Sequence, residues 1–312
     1  MALHRVEGWK GLEPEMRGAS VALGNFDGVH RGHRQVIAEA AKAAALLGVP
    51  LGVVILEPHP RVYFHREIEP FRLMTIEQQA RALDALGVDL FYVLPFDDEL
   101  AHLSDEAFAR EVLHEGLGAR HVAAGFDISF GWGRTGSPEA LRRYGEQYGF
   151  GVSIAAPVAE KDGEKCSSSG VRQALRDGRP ERAAALLGRP FSIEGVVVQG
   201  EKLGRTMGFP TANIPLVDYV RPRNGIYAVR ARLADGREIP GVGYIGRAFQ
   251  NAKDARLEVH LFDFDEDIYG HTVETDLIAF IREDQKFDGL EALVAQMDCD
   301  KENARRILMP PF

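Results

Sequence analysis

"SVALGNFDGVHRGH", Ser20 to His33, decides the fold of the first half of the chain. Four strand-forming residues run into a turn holding Gly24, Gly28 and Gly32. After it, Val36, Ile37, Ala40, Ala44 and Leu47 recur at the spacing of one helical face. A strand that passes through a glycine-rich turn into a helix starts a parallel α/β sheet, with the free N–H groups of the helix start gathered at the strand's end. His30 and His33 fall in the first turn of that helix, three residues apart and so on one face. On spacing alone, a phosphate site and a solvated helix start are about equally compatible with the turn. A metal centre fits less well, because two histidines need a third ligand and neither an H-E-x-x-H string nor a nearby His/Asp cluster supplies it. The chain contains no Gly-Lys dipeptide, so any ATP chemistry uses a cradle other than Walker A.

Outward from this turn, the same alternation repeats to about Val158: "LGVVIL" then "TIEQQARALDALG", "LFYVLPF" then "DEAFAREVLHEGLG", "HVAAGF" then "SPEALRRYGEQYG". Strand followed by crossover helix predicts a parallel sheet covered on both faces. After Ser192 strand-like segments follow one another without helices: "SIEGVVVQG", "GIYAVRARL", "REIPGVGYI", "RLEVHLFDF" and "TVETDLIAFIR". That texture predicts a small antiparallel barrel. Between them "RDGRPERAAALLGRP" reads as one short helix bracketed by Pro180 and Gly188, which places the boundary at Leu186/Leu187 and the domains at 1–186 and 187–312. The closing "DGLEALVAQMDCDKENARRIL" reads as two short helical stretches, the second capped by Asp300.

Composition excludes several classes. At 312 residues the chain is long enough for two ordinary domains. Its net charge of −9 is shared by both halves, with 16 basic and 20 acidic residues from Arg189 onward, so neither half is a basic nucleic-acid arm. Cys166 and Cys299 are the only cysteines, which argues against a disulfide framework or structural zinc and for a reducing compartment. The opening residues lack the apolar core of a secretory signal, and no run of about 18 apolar residues occurs. The expectation is a cytoplasmic protein with no membrane or nucleic-acid partner; oligomeric state is open.

"GNFDGVHRGH" resembles the G-x-F-D-G-x-H-x-G-H signature of nucleotidylyltransferases, specifically the bacterial bifunctional riboflavin kinase and FAD synthetase family. Further strings match in order: "EPHPR" (57–61), "GFDISFG" (125–131), "SSSGVR" (167–172), "GRTMGFPTANI" (204–214), "NGIYA", "LEVHLFDF" followed by "DIYG", and "KFDGLEALVAQM". The resemblance implies two reactions: ATP phosphorylates riboflavin to FMN, and FMN then takes AMP from a second ATP, giving FAD and pyrophosphate.

For the second reaction the nucleophile is a phosphate oxygen with a pKa of about 6, ionised already and in no need of a base. Charge building on the α-phosphoryl oxygens is what needs stabilising. The resemblance implies that His30 and His33 hold the ATP phosphates within a turn formed by Gly24, Asn25, Phe26, Asp27, Gly28 and Gly32. Ser168, Ser169 and Arg172 match a second phosphate motif, Asp127 lies near nucleotide and flavin, and His59 near flavin. Ser129 stands where an arginine is frequent and receives no role.

For the first reaction the acceptor is an un-ionised hydroxyl, so a base is required. The resemblance implies Glu258, whose ordinary carboxyl pKa of about 4.3 leaves it ionised; by alternation alone it is one outward residue of a strand. Gly204 belongs to a glycine-dense loop suited to phosphates. Thr211 and Asn213 offer neutral oxygens to Mg²⁺ carried by ATP, and Arg282 belongs to a flap over the flavin. "GVGYIGRAF" (241–249) departs from the family's G-V-A-N-I-G-x-R-P-T-F, losing the Asn and the Pro-Thr pair.

Two other functions fit parts of the pattern. A flavin-binding carrier or sensor with inactive sites predicts binding without ATP turnover. A cytidylyltransferase or tRNA-charging relative shares the H-x-G-H turn, but the chain has neither a K-M-S-K-S string nor a basic tRNA arm, and it leaves the second half without a purpose.

Overall fold

Short, strongly apolar strands account for the first layer of structure. In the computed structural model, which describes residues 3–65, 67–159, 165–200, 208–246 and 255–309, the chain divides into two units. One comprises Met1–Ile68 and Ile76–Cys166, the other Glu69–Thr75 and Ser167–Phe312.

The first unit holds β1 (His4–Glu7), β2 (Ser20–Leu23), β3 (Leu51–Glu57), β4 (Leu90–Pro95), β5 (His121–Gly125) and β6 (Gly151–Ala155), all parallel, in the order β1-β4-β3-β2-β5-β6. Central strands buried on both faces are mostly apolar, and Val21, Val54, Tyr92 and Val122 are completely inaccessible. The edge strands β1 and β6 are not among the runs named from sequence. "HRVE" buries only Val6 and "GVSIA" only Ala155, so neither carries a full hydrophobic signal. Helix α1 (Arg31–Leu47) buries Val36, Ile37, Ala40 and Ala44 as expected, but Leu47 is half-exposed where the helix ends in left-handed Gly48. The remaining helices are α2 (Pro60–Phe64), α3 (Ile76–Asp84), α4 (Asp98–His102), α5 (Asp105–Ala107) and α6 (Pro138–Tyr148). After α5 the chain winds on as a π-helix over Phe108–Gly116, where the helical pattern alone predicts an α-helix. Strand order reverses beside β2, between β3 and β5. This is the topological switch point at which open α/β sheets bind ligands.

The second unit starts with α7 (Ser168–Arg176) and α8 (Pro180–Leu187), the latter running from Pro180 to a left-handed Gly188 cap as predicted. Six antiparallel strands follow: β7 (Phe191–Val196), β8 (Ala212–Pro215), β9 (Gly225–Arg232), β10 (Glu238–Ile245), β11 (Arg256–Leu261) and β12 (Thr272–Arg282), in the order β7-β12-β9-β10-β11-β8. A bridge from Val198 to Asn213 carries the chain after β7 onto β8 and nearly closes the barrel. β8, which starts right after Thr211 and carries Asn213, is not among the strand-like segments named from sequence. It is only four residues long and ends in proline, yet Ala212 and Ile214 are buried.

Helix α9 (Leu290–Leu308) is one continuous helix, not two. Asp300 is no cap but a mid-helix residue, 2 % exposed, whose carboxylate takes two hydrogen bonds from Arg282, Nε to Oδ1 at 2.9 Å and Nη2 to Oδ2 at 2.7 Å. A partner on another element offsets the cost of a carboxylate there, which no local pattern can reveal. Ala304 and Leu308 pack α9 against Ala228 and Phe262 on the outside of the barrel.

Candidate active sites

The turn after β2 is conformationally demanding. Phe26 (φ 50°), Gly28 (φ 90°) and Val29 (φ 42°) all take left-handed backbone, while the Phe26 and Val29 side chains are 1 % exposed. Burial of two large apolar groups offsets the local strain and holds the turn rigid. His30 is the N-cap of α1, its Nδ1 accepting from the His33 N–H at 3.2 Å. Because Nδ1 is the acceptor, the neutral ring carries its proton on Nε2, which is then a donor. The His33 ring stacks on it, centroids 3.5 Å apart and 19° from parallel, and Phe26 meets His33 edge-on at 5.2 Å. At Gly32 a Cβ would lie 3.1 Å from the Cys166 carbonyl oxygen and 3.1 Å from the His30 ring, so a side chain there would push the imidazole aside.

The structure brings two further predicted residues to the ends of the neighbouring strands. His59 caps α2, and its Nε2 lies 3.1 Å from the Asn25 side-chain amide, linking the loop after β3 to the opening turn. Asp127 follows β5 and pairs with Lys165 at 2.6 Å, and Lys165 also lies over the Phe126 ring at 4.4 Å. Lys165 was missed, since a lone lysine in a polar stretch has no signature. Ser129 accepts from Arg134 Nε at 2.9 Å, so a guanidinium does reach this place in the fold, from five residues further on.

Ser168, Ser169 and Arg172 fall in the second unit, on α7. Ser167 caps that helix by accepting from the Gly170 N–H at 3.1 Å, leaving Ser168 and Ser169 in the first turn. Arg172 is 7 % exposed; its Nε donates to the Phe71 carbonyl at 2.7 Å and its guanidinium lies 5.0 Å from the centre of the Phe71 ring.

In the barrel, strand register builds the site. Glu258 on β11 pairs with Asn213 on β8 and with Tyr244 on β10; Tyr244 pairs with Ile226 on β9, and Ile226 with Arg282 on β12. Paired residues share a face, so Asn213, Glu258, Tyr244, Ile226 and Arg282 form one row across the outer surface. Asn213 is buried, and a Cβ on Gly200 would come within 2.5 Å of its amide. Beside it lies a cavity of about 340 Å³ lined by Gly200, Pro210, Thr211, Asn213, Asp267 and Tyr269 among others. Gly204, in the glycine-dense loop, lies outside the described residues, as do residues 247–249 of the atypical stretch.

His260, also missed, sits two residues beyond Glu258. Its Nδ1 donates to the Pro210 carbonyl at 3.0 Å and so fixes the Pro210–Asn213 segment. Burial depresses its pKa below the ordinary 6.5, so the imidazole is neutral at neutral pH. Below pH 6.5 the unfolded chain takes up a proton that the folded barrel resists. Stability is therefore lost as pH falls from 6.5 toward the lower folded pKa. Chemical denaturation of the protein and of His260→Gln between pH 7.5 and about 5 checks this: the variant should show a shallower loss over that window.

Family profiles match both halves of the chain: FAD synthetase over residues 12–170 and riboflavin kinase over residues 187–308. Among curated relatives, the bifunctional riboflavin kinase/FMN adenylyltransferase of Pseudomonas fluorescens is 42% identical over 98% of this chain and 98% of its own length. That of Escherichia coli K12 is 39% identical over 92% of each, and that of Bacillus subtilis 36% identical over 95% of this chain and 94% of its own. The crystal structure of a macrolide-efflux protein from Streptococcus pneumoniae superposes over 98% of this chain and 99% of that one, with a TM-score of 0.84 and 32% identity. Among the described residues no helix is long and apolar enough to cross a membrane.

Proposed function

We propose, for a chain that belongs to the bifunctional riboflavin kinase/FMN adenylyltransferase family, a division of labour between its residues. The chain itself is a FAD-forming enzyme: it phosphorylates riboflavin to FMN and transfers AMP from ATP to FMN. The carrier reading is not favoured.

In the adenylyl transfer, His30 and His33 donate hydrogen bonds to the phosphate oxygens on which charge builds, assisted by the N-terminus of α1. The stacked rings and the fixed His30 tautomer support this role, because a donor set in place before reaction pays no reorganisation cost as charge develops. Gly24, Asn25, Phe26, Asp27, Gly28 and Gly32 shape the turn; Asp127 and His59 serve the nucleotide and flavin; Ser168, Ser169 and Arg172 serve the leaving pyrophosphate.

In the kinase reaction the observation that carries the reading is the register that pairs Glu258 with Asn213, the one residue of the row that lines the cavity. ATP occupies that cavity, and Gly204, which lies outside the described residues, serves its phosphates. Glu258 accepts the proton of the riboflavin hydroxyl as its oxygen attacks the γ-phosphorus, and ADP leaves on the opposite side. Among the described residues no group of three His, Cys, Asp or Glu is placed to hold a metal. Thr211 and Asn213, with neutral oxygens at the cavity wall, instead fit a Mg²⁺ bound mainly through ATP. When bound, Mg²⁺ neutralises phosphate charge. Arg282, held by Asp300 at the far end of the row, serves the flavin. Both thiols, buried Cys166 and exposed Cys299, suit the cytoplasm.

The kinase domain starts at Leu187. A fragment from Leu187 onward is expected to phosphorylate riboflavin. One from Ser167 should do so too and should resist more denaturant, because α8, which buries Ala183, Leu186 and Leu187, packs on β7 and β12. Riboflavin turnover and urea titration of the two fragments test the boundary; an insoluble or inactive Leu187 fragment rejects it.

A further inference from the structure

The row across the barrel has a direction. The row meets the cavity at Asn213, the partner of Glu258; the cavity takes its lining from β8, from Val259 and Leu261 of β11 and from the adjoining segments, and none of the described residues that line it belongs to β10. In phosphoryl transfer the attacking and leaving oxygens lie in line on opposite sides of phosphorus. With ATP on the Asn213 side and the acceptor hydroxyl at Glu258, the rest of the acceptor leads away from ATP, over the next residue of the row. That residue is Tyr244, directly opposite Glu258 on β10, its Cβ about 4.5–5.5 Å away as in any cross-strand pair.

Tyr244 is built to stay in one place. Its hydroxyl donates to Asp284 Oδ2 at 2.9 Å, and its ring lies over Gly246, where a Cβ would meet the hydroxyl oxygen and ring carbons. Burial first, then the Asp284 carboxylate and the charge of Glu258, push its pKa up to about 12, so it is a neutral phenol throughout the working range. The residue is half-buried, leaving part of a flat, fixed aromatic surface open. Val242 and Ala228, two residues back on β10 and β9, continue the outer face as an apolar surface under α9.

We propose that Tyr244 is a specificity-determining residue of the kinase site, the acceptor-side wall that receives the tricyclic ring of riboflavin. This rests on the assignment of ATP to the Asn213 side and of Glu258 as base. Where the motif that the stretch resembles has an asparagine, this chain presents an aromatic ring tethered by Asp284.

The test varies Tyr244 in the full chain and measures KM for riboflavin and KM for ATP separately. It adds the inhibition constant of lumiflavin, the same ring system without the hydroxyl-bearing chain. In Tyr244→Leu, the riboflavin KM and the lumiflavin inhibition constant are expected to rise about tenfold, the scale of a lost apolar pocket contact. The ATP KM should stay within about twofold of its original value. Tyr244→Phe keeps the ring and should stay near wild type in ATP KM, with a rise of less than about threefold for both flavins. Conversion of FMN to FAD should be unchanged in both variants. Unchanged lumiflavin inhibition in Tyr244→Leu, or equal rises in the ATP and riboflavin KM, would overturn the proposal. Lumiflavin inhibition involves no proton transfer, so it reads the ring contact even if Glu258→Gln shows that Glu258 is not the base.

Discussion

Glu258→Gln is expected to slow FMN formation by about 10²–10⁴-fold, the range of a lost general base. Glutamine preserves size and can still accept a hydrogen bond through its amide oxygen, so packing between Asn213 and Tyr244 is kept while the proton acceptor is lost. Riboflavin and ATP KM should change little, since the proton moves only as the bond forms. FMN-to-FAD conversion should proceed at the original rate, because its nucleophile is ionised without help. Initial rates of both reactions on one preparation check this; kinase turnover at the original rate would remove Glu258 from the chemistry.

Replacing His33 by Ala should lower FAD synthesis by about 10²–10³-fold, the loss typical of one transition-state donor. His30→Ala should lose as much and be less stable as well, by about 1 kcal/mol, because its Nδ1 also caps α1. His30→Asn separates the two effects: asparagine restores a capping oxygen and should recover most of the stability but not the rate. ATP affinity should fall less than turnover, since a donor that strengthens as charge develops contributes little to the ground state. Riboflavin phosphorylation should continue. If both residues were merely solvated helix-start histidines, neither substitution would cost more than a small factor.

What was legible in the sequence is what is local. The turn from β2 into α1 declared itself through glycine spacing and helical periodicity, and the predicted helix start at His30 and His33 and stripe at Val36, Ile37, Ala40 and Ala44 are present. The stretch of strands after Ser192 and the short helix closed by Gly188 were equally readable, because turn residues and periodicity speak within ten residues. What was not legible depends on distant partners. Asp300 looks like the cap of a second helix until Arg282 is found opposite it. β8 looks like loop until its pairing with β11 is seen. Register has no sequence signature at all: nothing in "GVGYIG" or "LEVHLF" says that Tyr244 faces Glu258. Lys165 and His260 escaped notice for the same reason, each acting through contacts far along the chain.

The central claim is that one chain runs two chemically different transfers with two separate sets of residues. The most direct measurement mixes two variants, Glu258→Gln and His33→Ala, with riboflavin, ATP and Mg²⁺, and follows riboflavin, FMN and FAD by chromatography. Alone, Glu258→Gln should leave riboflavin almost untouched, and His33→Ala should accumulate FMN. Together they should make FAD, as FMN released by one is adenylylated by the other. A mixture that stops at FMN or at riboflavin, or either variant failing in both reactions while folded, would contradict the account.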